Sequence, residues 1–131
     1  MSVERINPDE LPSPKGFSHA VIGRGTVVFL AGQTALDKDG HIVGDGIVAQ
    51  FEQALGNVLT VLDAAGGRPE QLASVTVYAV DLGDYRAHAR ELGEVWRRLV
   101  GVEYPAMAAI GVCRLWDPEA LVEIQAVAVL D

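Results

Sequence analysis

This chain carries more apolar strand than its helices can cover. Six short runs read as strands: Ser18–Ile22, Thr26–Ala31, His41–Val43, Leu72–Val80, Ala106–Cys113 and Leu121–Leu130. Only two segments, Gly46–Ala65 and Gly83–Leu99, have the length and periodicity of helices. The order is β-β-(β)-α-β-α-β-β, and a strand–helix–strand crossover pairs its strands in parallel with a right-handed turn. The expected result is an α+β domain: a six-stranded mixed sheet with two helices on one face. Several runs, Thr26-Val27-Val28-Phe29-Leu30-Ala31 above all, are apolar at successive positions, so both sheet faces call for burial. The face without helices then has to meet another subunit.

Local signals fix the elements more closely. Gly23-Arg24-Gly25 between the first two runs reads as a hairpin turn. Asp37-Lys38-Asp39-Gly40 reads as a second turn, ahead of the short third strand. In the first helix, Val48, Phe51, Leu55, Val58, Leu59 and Leu62 form one apolar stripe. Ala54, Val61 and Ala65 widen it, and Gln50, Gln53, Asn57 and Thr60 fall on the side expected to be wet. Gly66-Gly67 ends this helix and Pro69 follows. The second helix has a stripe of Tyr85, Ala89, Leu92, Val95, Trp96 and Leu99, with Asp84 as its expected N-cap. Residues 1–15 hold Pro8, Pro12 and Pro14 and read as an extended arm. Residues 1–131 are a single domain on this reading.

Several function classes are disfavoured. A chain of 131 residues can bury a core without disulfides or metal, and its single Cys113 allows no intramolecular bridge. That usage fits a cytoplasmic protein. The first residues lack the apolar stretch of a signal peptide, and no apolar run approaches the ~20 residues of a membrane span. Net charge is −8, where nucleic-acid binders usually present a basic patch. Arg86, Arg90, Arg97 and Arg98 are interleaved with Glu91 and Glu94, the pattern of a solvated helix face laced with ion pairs. His19, His41 and His88 have no metal-ligand spacing. No P-loop, Gly-x-Ser-x-Gly or dinucleotide fingerprint is present.

A series of short motifs runs through the chain in order. They are Gly16-Phe17-Ser18-His19-Ala20, Val28-Phe29-Leu30-Ala31-Gly32-Gln33, and Gln53 with Asn57 and Leu62-x-x-Ala65-Gly66. Val75-Thr76-Val77-Tyr78 with Asp81 and Asp84, Tyr104-Pro105-Ala106, and Leu121-Val122-Glu123-Ile124-Gln125-Ala126 complete it. In this order and spacing the chain resembles the RidA/YjgF family, also labelled L-PSP endoribonuclease, from roughly Ser13 to Leu130. The resemblance implies a chorismate-mutase-like fold and a homotrimer with three small-molecule clefts between subunits. It implies hydrolysis of reactive imines or enamines, such as 2-iminoacids, to ketoacids and ammonia, with no cofactor and no metal.

Active members of that family place an arginine directly after the Pro-Ala pair, where a guanidinium grips the substrate carboxylate. Met107 stands there in this chain and carries no charge. Losing such a partner typically costs ~2–5 kcal/mol of binding. Arg114 has the wrong strand parity to replace it, and Arg90 on the second helix is the candidate substitute. Glu123 is a lone carboxylate in an apolar strand, and the resemblance gives it the work of orienting water or exchanging a proton. Phe17, Ala31, Gly32, Met107 and Ala109 complete the expected pocket wall, and Cys113 reads as a small core residue. The leading expectation is an imine or enamine hydrolase with weak or absent 2-iminoacid activity. A non-catalytic metabolite-binding trimer is the second reading, and a ribonuclease the remote third.

Overall fold

The apolar stripe of the first helical segment is buried along its whole length. A computed structural model describes residues 2–131, and in it helix α1 (Ile47–Ala64) buries Phe51, Ala54, Leu55, Val58 and Leu62. They rest on one face of a four-stranded sheet of β3 (Thr26–Gln33), β4 (Leu72–Ala79), β5 (Ala106–Gly111) and β6 (Val122–Leu130). Its spatial order is β3-β6-β4-β5. β6 runs antiparallel to both neighbours, and β4 and β5 are parallel, as the crossover requires. Leu92, Val95 and Trp96 from the second helical segment join the same core, so the helices share one sheet face. Gly67 N–H donates to the Leu62 carbonyl and ends α1 at the expected Gly pair.

The single six-stranded sheet expected is instead a four-stranded and a two-stranded one. The proline-rich arm contributes β1 (Val3–Ile6), which pairs with β2 (Ala20–Gly23) in a separate two-stranded sheet. The hairpin expected between the first two runs is therefore absent among the described residues. The chain changes sheets at Gly25, whose φ of 140° suits glycine and where any side chain would meet the Leu130 carbonyl. The third expected strand shrinks to one bridge, Leu36 to Ile42, because Gly44 follows at once. β5 ends at Gly111, short of Cys113.

Two helix expectations also change. Gln50 is buried, and Gln53 and Asn57 are half-buried rather than fully wet. Asn57 donates to the Thr34 and Leu36 carbonyls, and Gln53 donates to Leu36. Gln50, 4% exposed, donates to Glu119 O and accepts from Leu121 N–H at 2.8 Å. These amides satisfy backbone groups of the irregular 34–44 and 119–121 segments, which regular pairing leaves open. Val61, placed in the stripe, is exposed instead. The second helix breaks at His88 into α2 (Leu82–Ala87) and α3 (Ala89–Leu99). Its N-cap is Asp81, not Asp84, because Asp81 holds the extended backbone a cap needs and accepts from Asp84 N–H at 3.0 Å.

Gln50→Leu keeps the side chain's volume but strands the Leu121 N–H. Urea unfolding should show a loss of about 2 kcal/mol or more. Thr60→Ala, which removes only an exposed bond to Gly56 O, should stay within ~0.5 kcal/mol. His88 Nδ1 lies 2.9 Å from the Asp84 carbonyl and 3.2 Å from its carboxylate. The carbonyl first, and then the carboxylate's charge, favour the imidazolium and raise the His88 pKa. Its contribution to stability is complete below the ordinary imidazole pKa and is lost as pH rises through the raised one. An NMR titration should find His88 above the ordinary value, and Asp84→Asn should remove only part of the shift, since the carbonyl remains.

Candidate functional site

Strand alternation sorts the sheet into two unlike faces. The side chains of Val122, Ile124, Ala126, Val75 and Val77 point to the helices and are buried. The opposite face carries Glu123, Gln125 and Val127 on β6, Thr76 and Tyr78 on β4, and Val27 and Phe29 on β3. Phe29 is 81% exposed, and no helix covers this side. Tyr78 Oη donates to Gln125 Oε1 at 3.3 Å across it.

Glu123 stands on this open face, opposite Tyr78 in register. On its other side the β3–β6 ladder is irregular. Leu30 pairs with Ala126 and Gln33 with Ile124, so Ala31 and Gly32 oppose the single residue Gln125. This is a β-bulge, a device that re-aims backbone near sites. It brings Gly32 against the Glu123 side chain, where an added Cβ would lie 2.8 Å from the carboxyl carbon. Ala31, Gly32 and Glu123 are thus brought together. Beyond them opens a cleft of about 690 Å³ lined by Glu123, Arg114, Leu115 and Trp116. Arg114 follows the end of β5 at Gly111 and lies on the Glu123 side, away from Met107, as expected of it. Trp116 is 90% exposed at the rim. Neither Glu123 nor Arg114 has an ion-pair or side-chain hydrogen-bond partner among the described residues. Neither Arg114 nor Trp116 was legible as a cleft residue, since both lie in a loop whose path no periodicity reports.

A second group of expected residues meets elsewhere. Met107 and Ala109 lie in register with Val75 and Val77, on the helix side of β5. With Phe17, Lys15, Gly16 and Tyr85 they line a groove of about 230 Å³. The segment that carries Phe17 is held by Ser18, whose hydroxyl donates to the Tyr104 carbonyl at 2.7 Å. Burial raises the Tyr85 pKa, so its phenol remains protonated. Phe17, Met107 and Ala109 are thus assembled, but on the sheet face opposite Glu123. Arg90 joins neither group: its side chain is 91% exposed, and Glu94 is 4.0 Å away. It sits on the outward side of α3, away from the stripe that sets the helix's buried face. Cys113 is exposed rather than in the core, because it follows the end of β5. Among the described residues no three His, Cys, Asp or Glu side chains could hold a metal ion, and no helix is long and apolar enough to cross a membrane.

Gly32→Ala should leave stability within about 1 kcal/mol, since the atoms it meets end a flexible side chain. A crystal structure of the variant should show the Glu123 carboxylate in a different rotamer. An unmoved carboxylate would contradict the tight approach.

Comparison with known proteins gives a consistent result. A family model described as Endoribonuclease L-PSP matches residues 8–130. A RutC family protein of Pyrococcus horikoshii is 36% identical over 126 residues, covering 95% of this chain and 96% of that protein. A Capra hircus protein named 2-iminobutanoate/2-iminopropanoate deaminase is 32% identical over 126 residues, covering 95% of this chain and 88% of that protein. A solved structure from the conserved Rid protein family, from Yersinia pestis, matches with a TM-score of 0.89 at 33% identity, covering 99% of this chain and 100% of that one.

Proposed function

We infer, from the premise that this chain belongs to the endoribonuclease L-PSP family with its RutC and RidA/YjgF relatives, that it hydrolyses small imines or enamines in pockets formed between its own copies. One observation carries this reading: the two groups of site residues lie on opposite faces of one sheet. A pocket that uses both needs the Glu123 face of one chain against the Phe17–Met107 groove of another. Such a contact is heterologous, and it closes into a ring when the rotation allows, here into the three-membered ring of the family resemblance. The bare face with Val27 and Phe29 has the apolar character such a contact needs.

In the proposed reaction Glu123 accepts a proton from a water as the water's oxygen bonds to the imine carbon. The C=N π pair moves to nitrogen, which takes that proton back from Glu123 to give the carbinolamine. Glu123 then takes the hydroxyl proton and passes it to nitrogen as the C–N bond breaks, so a carbonyl compound and ammonia leave. The bulge at Ala31–Gly32 sets the carboxylate's position. Met107 offers no charge to a substrate carboxylate, so 2-iminoacids are held weakly, and imines without a carboxylate suit the groove better. The goat relative's name supports the imine chemistry. Net charge −8 weighs against ribonuclease action. Met107 also favours a second reading, a metabolite binder without turnover.

The test is deamination of 2-iminoacids generated in situ by an amino-acid oxidase, with semicarbazide competing for the imine. Wild type should be slow or inactive, and Met107→Arg should gain about tenfold or more. Glu123→Gln should abolish the gain. Fast wild-type turnover would overturn the role given to Met107. A ligand found by thermal shift, with no imine turned over by either protein, would favour the binder. A stable monomer in sedimentation would sink the shared pocket.

A further inference from the structure

We propose that the Tyr85 hydroxyl is a catalytic residue of the imine pocket, donating a hydrogen bond to the imine nitrogen from the side opposite Glu123. This inference rests on the proposed imine hydrolysis and deepens it, because it names the group that holds the nitrogen.

Tyr85 stands in α2, which packs on β5. With Phe17, Val77, Met107 and Ala109 it lines the groove on the helix side of the sheet. Its partners there are apolar, and Lys15, the other polar side chain of the groove, is exposed. The groove runs on into a hollow beside α3, and Gly16, Tyr85 and Met107 line both. The Tyr85 ring is braced by Phe51 of α1, which meets it edge to face with centroids 6.2 Å apart and planes at 64°. Tyr85 N–H donates to the Asp81 carbonyl at 3.0 Å, which fixes the turn that carries it.

The hydroxyl is unpaired but reachable. It makes no hydrogen bond among the described residues, whereas the Tyr78 hydroxyl is bonded to Gln125. Trp96 Nε1 is the one fully buried side-chain polar atom without a partner among those residues, so the Tyr85 oxygen keeps an accessible surface. A phenol largely desolvated and unpaired is unfavourable until an acceptor arrives. Burial also raises its pKa, so it offers an O–H donor and not a phenolate. The imine nitrogen is the acceptor the reaction supplies, because its in-plane lone pair is free while water attacks the π bond from above the plane. A hydrogen bond there draws electron density from the carbon and strengthens as charge builds on nitrogen. The phenol proton stays on oxygen, and the proton that nitrogen gains still comes from Glu123. Glu123 of one copy and Tyr85 of another hold the two sides of one C=N group.

The experiment is an NMR titration of the intact protein, labelled at tyrosine Cζ, with pyridine and with benzene, its isostere lacking the nitrogen. Pyridine presents the same in-plane lone pair on a trigonal nitrogen as an imine does. At about pH 8 the Tyr85 phenol keeps its proton. Pyridine should move the Tyr85 Cζ resonance and bind about fivefold more tightly than benzene. Tyr85→Phe keeps a ring against Phe51 and should bring the two ligands to equal affinity. The same variant should slow ammonia release from phenylmethanimine, generated from benzylamine by a flavin amine oxidase, about tenfold or more. The comparison of ligands on wild type needs no variant to fold. Equal binding of pyridine and benzene, a Tyr85 resonance that never moves, or a preference that survives Tyr85→Phe would overturn the proposal. Phenylmethanimine hydrolysis unchanged in Tyr85→Phe would also overturn it and leave the proposed function standing. A pyridine preference with no imine turned over by wild type would overturn the hydrolysis, and with it the catalytic role, leaving Tyr85 a binding donor.

Discussion

The seating of α1 on β6 governs where the other parts of the domain can lie. Val122, Ile124, Ala126 and Ala128 alternate along β6 and are all buried, and two of them are small enough to let the helix lie close. Strand periodicity then leaves no choice for the residues between them. Glu123 and Gln125 must face the other way, and a slip of one residue would drive a carboxylate into the core. The position of the candidate acid is thus set by apolar packing on the reverse of its own strand.

Polar side chains do the second half of the positioning. The amides of Gln50, Gln53 and Asn57 tie irregular backbone to α1, including the segment just before Val122. At the other end Arg5 reaches from β1 to Glu103 at 2.8 Å and to the carbonyls of Tyr104 and Glu70. The proline-rich arm is thereby fastened beside the start of β5, where Phe17 meets Met107.

Much of this was legible in the chain. The stripes of both helices, the parallel pairing around the second, and the family motifs all rest on local periodicity or on short ordered segments. What escaped was non-local. Pairing of β1 with β2 depends on residues more than a dozen positions apart, and neither strand is long enough to announce itself. Gln50, Gln53 and Asn57 have the spacing of a wet face, and only the loop packed over them reverses that. The bulge at Ala31–Gly32 leaves no mark in a run of small residues. Parity kept Arg114 off the Met107 face, but its meeting with Glu123 depends on a loop that no periodicity reports.

The order of strands has a kinetic consequence. β6 is the last strand in the chain, yet it lies between β3 and β4 in the sheet. Thr26 pairs with Leu130, so the ends of this ladder are separated by nearly the whole domain. A chain emerging from its N-terminal side can form α1 early, but β3 and β4 have no shared partner until β6 arrives. Until then both strands present open edges. Such long-range closure slows folding relative to a fold of local contacts. The same late step that completes the core also sets Glu123 beside Gly32, so this corner of the sheet takes shape only when the last strand docks.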